Sequence, residues 1–335
     1  MRGLGGSGNL GGPYSNVVSP TAASIVIPAH NEAKVLPRLL DALLAEAAPG
    51  EFEIVVVANG CTDDTVAVAR RYGDAVQVLD SPVPSKRHAL RLGDEAVTAF
   101  PRIYLDADVE IGTAGIRALR AELEKPGVHA AAPERSLALA GSAWPVRWYY
   151  AVWTRLPEVR AGLFGRGVIA VSAEGNARLN ALPQVMADDL AASNAFAPAE
   201  RMVVRNVAVV VHPPRTFGDL MRRRVRAVTS VAELEGTRTG ARAPGTATDG
   251  ERAEGGQAGD GWTADGQNAS GQGAGGQGGG RTSVGDLLGV VRSAPWLAPH
   301  LVLFLAVTLA ARARARRAVR SGDFTTWLRD ESSRG

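Results

Sequence analysis

Short apolar runs alternate with amphipathic stretches along the first third of the chain. The runs are rich in β-branched residues, as buried parallel strands are, and cover residues 24–28, 52–58, 75–79 and 102–106. The stretches between them have helical spacing and cover 35–46, 63–72 (capped by Thr62 or Asp63) and 86–97. Strands and helices that alternate in this way predict a doubly wound α/β sheet. Such sheets bind ligands at the carboxyl ends of their strands.

Polar, turn-rich segments follow each predicted strand. They read "PAHNEAK", "ANGCTDD", "SPVPSKR" and "DADVE". In the last of them Asp106 and Asp108 directly follow a buried strand, where two nearby carboxylates repel each other and each loses hydration. A divalent cation would offset this cost, and the alternative is that one aspartate caps a helix while the other faces solvent. The neighbouring segments are needed to distinguish these two interpretations.

After the fourth predicted strand the alternation of strand and helix patterns is less regular. The segment "GRGVIAVSAEGNARL" indicates a strand and a helix, "MADDLAASNAF" places two carboxylates at the start of a short helix, and "RMVVRNVAVVVHPP" is a long strand pattern. The following "TFGDLMRRRVRA" is helical with a basic face. From Thr237 to about Gly280 the chain is rich in Gly, Ala, Gln, Thr and Asp. Such a composition cannot offset its own ordering entropy, so we predict a disordered linker.

The segment from Ser293 to Ala311 is apolar and carries no formal charge. A helix of that length would nearly cross a bilayer core. Pro295 and Pro299 shorten the usable helix, however. If the preceding domain lies in the cytosol, a single span would place the arginines at 312–320 outside, which conflicts with the preference of basic residues for the cytoplasmic side. An in-plane or re-entrant anchor avoids this conflict. A full span and packing onto the preceding domain are the alternatives.

Charge and cysteine content narrow the class of protein. The 37 Lys and Arg exceed the 34 Asp and Glu by only a formal +3, so nothing indicates a nucleic-acid partner. One cysteine, Cys61, excludes an internal disulfide and favours a reducing compartment. It lies among small residues without a basic neighbour, and we interpret it as a packing residue. The first residues do not resemble a signal peptide and are expected to form a flexible arm.

Five motifs follow one another along the chain: "SIVIPAHNEAKVLPRLLDAL", "EIVVVANGCTDDTVAVA", "SKRHALRLGDEAV", "YLDADVEI" and "VMADDLAAS". In this order and spacing they resemble the family 2 glycosyltransferases, which have a nucleotide-sugar-binding GT-A fold, and the resemblance runs from about Ala22 to Val231. It implies an α/β, doubly wound mixed sheet flanked by helices. The expected segments are a flexible arm (1–21), the catalytic domain (22–235), the disordered Gly-rich linker (236–284), a hydrophobic membrane-associated helical segment (285–320) and a tail (321–335).

The resemblance implies a donor site with a divalent metal, Mg²⁺ or Mn²⁺. Asp108 would contact the metal, and Asp106 the ribose or the water shell of the metal. The loop from Pro28 to Glu32 would face the nucleotide, with Glu32 on the base or ribose, although Asn31 could equally cap a helix. Lys86 would contact the diphosphate, unless it is a solvated lysine at a helix start.

One strand exit departs from the family pattern. The family usually has an acidic residue at the end of the second strand that helps to read the base, whereas this chain has Ala58 and Asn59. The amide of Asn59 offers a donor and an acceptor, so it could still pair with a base edge. The identity of the base stays open.

The resemblance also implies the acceptor side. Asp189 would be the general base of an inverting transfer, while Asp188 would orient the acceptor, and either could instead cap a helix. Arg223 and Arg226 belong to a basic helix motif that meets the diphosphate in related enzymes. His212 is a candidate third metal ligand, with a purely structural histidine as the favoured alternative.

The sequence therefore predicts a metal-dependent, inverting glycosyltransferase at the cytoplasmic face of the cell membrane. It would use a nucleotide-sugar donor and a hydroxyl acceptor, for which a lipid-linked or cell-envelope glycan is favoured. Two other classes of protein are alternatives. A sugar nucleotidyltransferase would carry a Gly-rich basic loop after its first strand, which "PAHNEAK" lacks. A non-catalytic nucleotide-sugar-binding or membrane scaffold protein would keep the fold without turnover.

Overall fold

The computed structural model describes residues 21–182, 189–240 and 283–321. The strands are β1 Ala23–Ala29, β2 Phe52–Asn59, β3 Gln77–Ser81, β4 Arg102–Leu105, β5 Ala130–Leu137, β6 Val168–Val171 and β7 Arg201–Val211. The helices are α1 Leu36–Leu44, α2 Thr65–Arg70, α3 Lys86–Ala96, α4 Thr113–Leu123, α5 Trp144–Trp153, α6 Pro157–Ala161, α7 Ala173–Asn180, α8 Asp189–Asn194, α9 Phe217–Gly240, α10 Val284–Ser293 and α11 Ala298–Ser321. Short 3₁₀ turns cover Gly73–Ala75 and Pro295–Leu297.

The strands form one mixed sheet in the order β3-β2-β1-β4-β6-β5-β7. Strands β3, β2, β1 and β4 are parallel, β6 is antiparallel to both β4 and β5, and β5 runs parallel to β7. The prediction of a doubly wound mixed sheet is confirmed. Because β1, β2, β3 and β4 are parallel, the segments that follow them emerge at the same edge.

The parallel strands are buried on both faces, which explains their continuous apolar sequence. On one face Val26, Val55 and Val57 pack with Ala89 of α3. On the other face the alternate strand residues pack against α1, whose apolar side chains Leu36, Leu39, Leu40 and Leu43 are buried. The helix α2 begins at Thr65, two positions after the predicted start. Its first turn is held by Asp63, whose Oδ1 accepts hydrogen bonds from the backbone N–H of Thr65 at 3.0 Å and from its hydroxyl at 2.5 Å.

A second core joins the C-terminal helices to the domain. One face of α11 contributes Phe304, Val307 and Ala311, which pack with buried residues of α5 and α9. The ring of Phe304 stacks on Tyr149 of α5 with 5.0 Å between the ring centroids. The helix α9 reaches Gly240, beyond the start of the predicted linker at 236, and residues 241–282 lie outside the described chain.

This second core predicts unequal effects for two substitutions that lie two residues apart on α11. Phe304 is 6% exposed, whereas Val302 is 70% exposed. Phe304→Ala should lower the free energy of unfolding by about 3–5 kcal/mol because it leaves a cavity beside Tyr149. Val302→Ala should change it by less than about 0.5 kcal/mol. Urea unfolding without lipid measures both values. Equal, small effects would show that α11 does not pack onto the domain in solution.

Candidate active site

The loops that follow β1 and β2 are joined by hydrogen bonds. Asn31 has a left-handed backbone (φ 54°), and its Oδ1 accepts from the backbone N–H of Thr62 at 2.7 Å. The next two residues continue these contacts. The backbone N–H of Glu32 donates to the hydroxyl of Thr65 at 2.8 Å, and that of Ala33 donates to Asp63 Oδ2 at 3.2 Å. The predicted nucleotide-facing loop is therefore fixed through its backbone, and Glu32 is buried at its base.

Asp63 stays ionised in this arrangement. Burial by itself would raise the pKa of Asp63, but hydrogen bonds from the Thr65 hydroxyl, from the Thr65 N–H and from the Ala33 N–H outweigh it and hold that pKa below its ordinary value. Protonation at low pH would weaken these bonds. The junction between the two loops is thus strongest above the unfolded pKa of an aspartate, and its contribution is lost as the pH falls through the lowered folded value.

Asn59 lies at the end of β2 and is buried. Its side-chain Nδ2 donates to the backbone carbonyl oxygen of Ala29 at 2.8 Å. The backbone carbonyl oxygen of Asn59 lies 2.5 Å from His30 Nδ1. These contacts hold the ends of β1 and β2 together. Its predicted contact with a nucleotide base stays a prediction.

The segment after β4 carries Asp106 and Asp108 on one turn, where both are half-buried. The N–H of Asp106 donates to the carbonyl oxygen of Gly167 at 2.8 Å, which continues the β4–β6 ladder by one residue. Lys86, the first residue of α3, places its Nζ 2.5 Å from Asp106 Oδ1. The structure thus brings together Lys86 and Asp106, two residues that the sequence singled out separately.

Gly167 is a residue of this site that the sequence analysis did not identify. Its φ is +65°, and a Cβ there would lie 2.5 Å from Val109 Cγ1 and 3.3 Å from Asp106 Oδ2. Only glycine fits this conformation and this space without strain. The segment "GLFGRG" contains three glycines, which was the available signal for a tight approach to another part of the chain.

Arginine side chains hold the segment that leads to Gly167. Arg135 of β5 donates to the carbonyl oxygens of Gly165 at 2.8 Å and Phe164 at 2.6 Å, and its guanidinium lies 4.5 Å from the centroid of the Trp153 ring. Burial, followed by the positive charges of Arg166 and Arg223, lowers the pKa of Arg135 to about 9. Arg223 on α9 therefore lies close enough for its charge to affect this segment.

His212 contacts a carboxylate. Its Nε2 lies 2.6 Å from Glu110 Oε1, and the same oxygen lies 2.8 Å from Arg38 Nε. Arg38 also donates to the carbonyl oxygen of Asp108 at 3.4 Å. In the part of the chain that the structure describes, His, Cys, Asp and Glu do not assemble into a group of three that could hold a metal. A metal-ligand role for His212 stays a prediction.

The two carboxylates nevertheless fit a hard divalent cation. Mg²⁺ and related ions commonly use one or two protein carboxylates and complete their shell with water and substrate phosphates. Asp106 and Asp108 supply two carboxylates on one turn, and the absent Cβ of Gly167 leaves room within 3.3 Å of Asp106 Oδ2. Water and the phosphate oxygens of a second ligand would complete this donor set.

The acceptor side is described only in part. Asp188 lies outside the described residues, and Asp189 is the first residue of α8. Arg223 and Arg226 are half-buried on α9, whose first turn is held by the N–H of Asp219 donating to Thr216 Oγ1 at 3.1 Å. Pro28 is a buried residue of β1. The roles proposed for these side chains stay predictions.

Comparisons with known proteins agree with the predicted family and fold. The model of "Glycosyl transferase family 2" matches residues 24–165. An uncharacterized glycosyltransferase of Mycobacterium tuberculosis is 34% identical over 124 residues, which are 37% of this chain and 53% of that protein. The 4,4'-diaponeurosporenoate glycosyltransferase of Staphylococcus aureus is 35% identical over 92 residues, which are 26% of this chain and 24% of that one. This chain thus spans about half the length of its mycobacterial relative.

Among solved structures, a Pyrobaculum calidifontis mannosyltransferase in complex with GDP-Man and Mn²⁺ has a similar fold. Its TM-score is 0.52 at 19% sequence identity, and the match covers 91% of this chain and 80% of that one. At this identity the likeness concerns the fold. Together with the family match, it confirms the predicted resemblance and the GT-A-type fold.

Proposed function

We infer that this chain, whose residues 24–165 match the model of "Glycosyl transferase family 2", transfers a sugar from a nucleotide-sugar donor to a hydroxyl acceptor. The observation that carries the proposal is the Asp106–Asp108 turn. It lies at the carboxyl edge of a parallel sheet, beside Lys86, and it presents a donor set that phosphate oxygens would complete.

The diphosphate of the donor binds at this turn in our proposal. Asp108 and Asp106 would hold Mg²⁺ or Mn²⁺, with His212 as a candidate further ligand. When bound, the ion would neutralise charge on the departing diphosphate. Lys86 is paired with Asp106 at 2.5 Å and can donate to a phosphate oxygen from the same position.

The nucleoside lies against the loops after β1 and β2. Pro28 and Asn31 shape this loop, and Glu32 is proposed to contact the base or the ribose. Asn59 supports the loop by its hydrogen bond to Ala29, 2.8 Å long. Its backbone contacts keep the two strand ends together while the nucleoside binds.

Transfer needs a group that takes the proton of the acceptor hydroxyl. We assign this role to Asp189 and an orienting role to Asp188, with inversion at the anomeric carbon because the base acts from the face opposite the diphosphate. Arg223 and Arg226 on α9 would meet the diphosphate. We propose that the acceptor is lipid-linked and that the protein acts at the cytoplasmic face of a membrane. The length and apolar composition of α11 support contact with a membrane.

A panel of nucleotide sugars tests the function directly. A donor that binds only the folded protein raises its melting temperature by mass action, and this increase should require Mn²⁺ or Mg²⁺. Release of nucleoside diphosphate from the same donor should follow. Stabilisation without hydrolysis or transfer would favour a non-catalytic binding protein, and no stabilisation by any donor would contradict the proposal.

Gly167 offers a separate test of the donor site. Gly167→Ala should weaken metal-dependent nucleoside diphosphate binding by about tenfold or more, because the new Cβ presses on Val109 and Asp106. Gly165→Ala is a matched control with the same φ of +65°, but its Cβ would face Trp153 at 3.2 Å. Calorimetric titration with a nucleoside diphosphate and Mn²⁺ measures both. Equal losses would mean that backbone strain, and not the position of Asp106, explains the effect.

A further inference from the structure

The outward face of α11 is apolar, although it is exposed. Its exposed residues between 298 and 310 are Ala298, Pro299, Val302, Leu305, Ala306, Leu309 and Ala310. Val302 is 70% and Leu309 is 63% exposed. A helix that packs one face on a domain normally presents polar residues on the other. This helix is apolar on both faces over more than three turns, and such patches mark interaction sites.

Aromatic and basic side chains border this face at its two ends. Trp296, just before α11, and Trp144, at the start of α5, are both 60% exposed. They are linked through Trp148 and His300, whose rings stack at 4.3 Å between centroids. At the other end Arg312, Arg314, Arg316 and Arg317 are exposed. Tryptophan and arginine are the residues that anchor proteins at the level of lipid headgroups.

We propose that this surface, formed by Trp144, Trp296 and the exposed face of α11, lies flat on a bilayer that contains anionic lipids. It deepens the proposed membrane association by naming the surface and its orientation. The side chains of Val302, Leu305 and Leu309 enter the acyl region, the tryptophans lie at its boundary, and the arginines bind lipid phosphates.

The opposite face of α11 limits how the helix can meet the membrane. Phe304, Val307 and Ala311 are buried against α5 and α9. A span across the bilayer would either remove these side chains from the domain or draw α5 and α9 into lipid. Contact in the plane of the membrane preserves the packed face and covers only the exposed one.

The segment between α9 and α10 is a poor alternative cover. Residues 241–282 contain no Val, Ile, Leu, Met or Phe and a single tryptophan, Trp262. Such a segment cannot bury the apolar side chains of α11. Charge favours lipid over a second copy of this chain. In a symmetric pair the exposed arginines at the end of α11 would face each other or, in the opposite orientation, the exposed Arg147 and Arg155 near Trp144 and Trp296.

The position of this surface also concerns how an acceptor would reach the proposed active site. The helix α9 packs on α11 through Leu220, Met221 and Val225, and the same helix carries Arg223, which lies near the segment that leads to Gly167. The helix that carries the proposed membrane surface therefore packs directly on the helix that carries Arg223. A phosphate-bearing lipid acceptor held in the membrane could reach the site without leaving the bilayer.

Vesicle sedimentation with the full chain tests the surface without any need for transfer activity. The vesicles contain phosphatidylcholine, with or without about one-third phosphatidylglycerol. Val302→Gln with Leu309→Gln should lower the partition coefficient about 100-fold, because two apolar side chains leave the acyl region. Met202→Gln is the control, since Met202 is 42% exposed on β7, away from this surface. It should leave binding unchanged.

The arginines provide the second arm. Replacing Arg312, Arg316 and Arg317 by Gln should reduce binding to phosphatidylglycerol vesicles by about fivefold per arginine and leave the weaker binding to pure phosphatidylcholine unchanged. Alkaline carbonate should release the wild-type protein from the vesicles. Resistance to carbonate would indicate a span. If the Val302/Leu309 variant loses a dimer but still binds vesicles, the surface serves self-association. Either result would overturn the proposal. Failure of donor binding in the same preparation would concern only the proposed enzyme function.

Discussion

Asp108→Ala is expected to abolish metal-dependent binding of a nucleoside diphosphate while leaving the fold intact. Asp108 is half-buried on the turn after β4, and Arg38 contacts its backbone carbonyl oxygen, which the substitution keeps. Loss of an outer-shell partner costs about 10–100-fold in metal affinity, so loss of a ligand should cost at least about 100-fold. Calorimetric titration of UDP and GDP in Mn²⁺ measures this loss.

Asp74 provides the matched control. It is an exposed aspartate in the 3₁₀ turn before β3, at the amino edge of the parallel sheet and therefore opposite to the proposed site. Asp74→Ala removes the same charge and should leave binding unchanged. If the wild-type protein binds the nucleotide equally well with and without a chelator, the metal assignment is wrong, whatever the variants do.

The parallel half of the sheet could be predicted because its sequence is determined by burial on both faces. Strands β1 and β2 contain runs of Ile and Val that pack under helices on each side. The strand β5 was not predicted, although it lies between β6 and β7. It begins with three alanines, which have low strand propensity, and only its two neighbouring strands make it part of the sheet.

The candidate site was predictable where it depends on residue type at a strand end. Asp106, Asp108 and Lys86 were identified in this way. The contact between Gly167 and Asp106 depends on how β6 returns beside β4. That of His212 with Glu110 depends on the bridge between Glu110 and Val210 at the end of β7. Such contacts join residues far apart in the chain, so one sequence carries no local signal for them. Asp188 and residues 241–282, which are most of the linker predicted for 236–284, lie outside the described residues.

The apolar C-terminal segment shows a different limit of the sequence. A full span, an in-plane anchor and packing on the domain were all compatible with nineteen uncharged residues, because the segment is apolar on every side. The fold distinguishes two faces, of which one contains Phe304 and Val307 and is buried, while the other contains Val302 and Leu309 and is exposed. Packing on the domain and contact with a membrane surface are therefore compatible with each other.

Asp189→Asn is expected to reduce sugar transfer by about 10²–10⁴-fold at saturating donor, because the amide keeps the size of the side chain but cannot take the proton of the acceptor hydroxyl. Donor binding should be unchanged, since the residues proposed to hold the donor lie on other elements. Asp189 is the first residue of α8, and asparagine has nearly the same size and shape as aspartate, so the fold should tolerate the substitution. Steady-state transfer rates, with donor affinity measured by thermal stabilisation, separate the two effects.

Asp188→Asn is the comparison that gives this result its meaning. The two aspartates are adjacent in the chain, so both variants remove one negative charge from the same short segment. If Asp188 orients the acceptor, its variant should lose less of the transfer rate than that of Asp189 and should show a raised KM for the acceptor, because orientation acts through binding. A shallow pH dependence of the residual rate in Asp189→Asn would agree with loss of a titrating base. Near-normal turnover of Asp189→Asn, with an inactive Asp188→Asn, would instead identify Asp188 as the base.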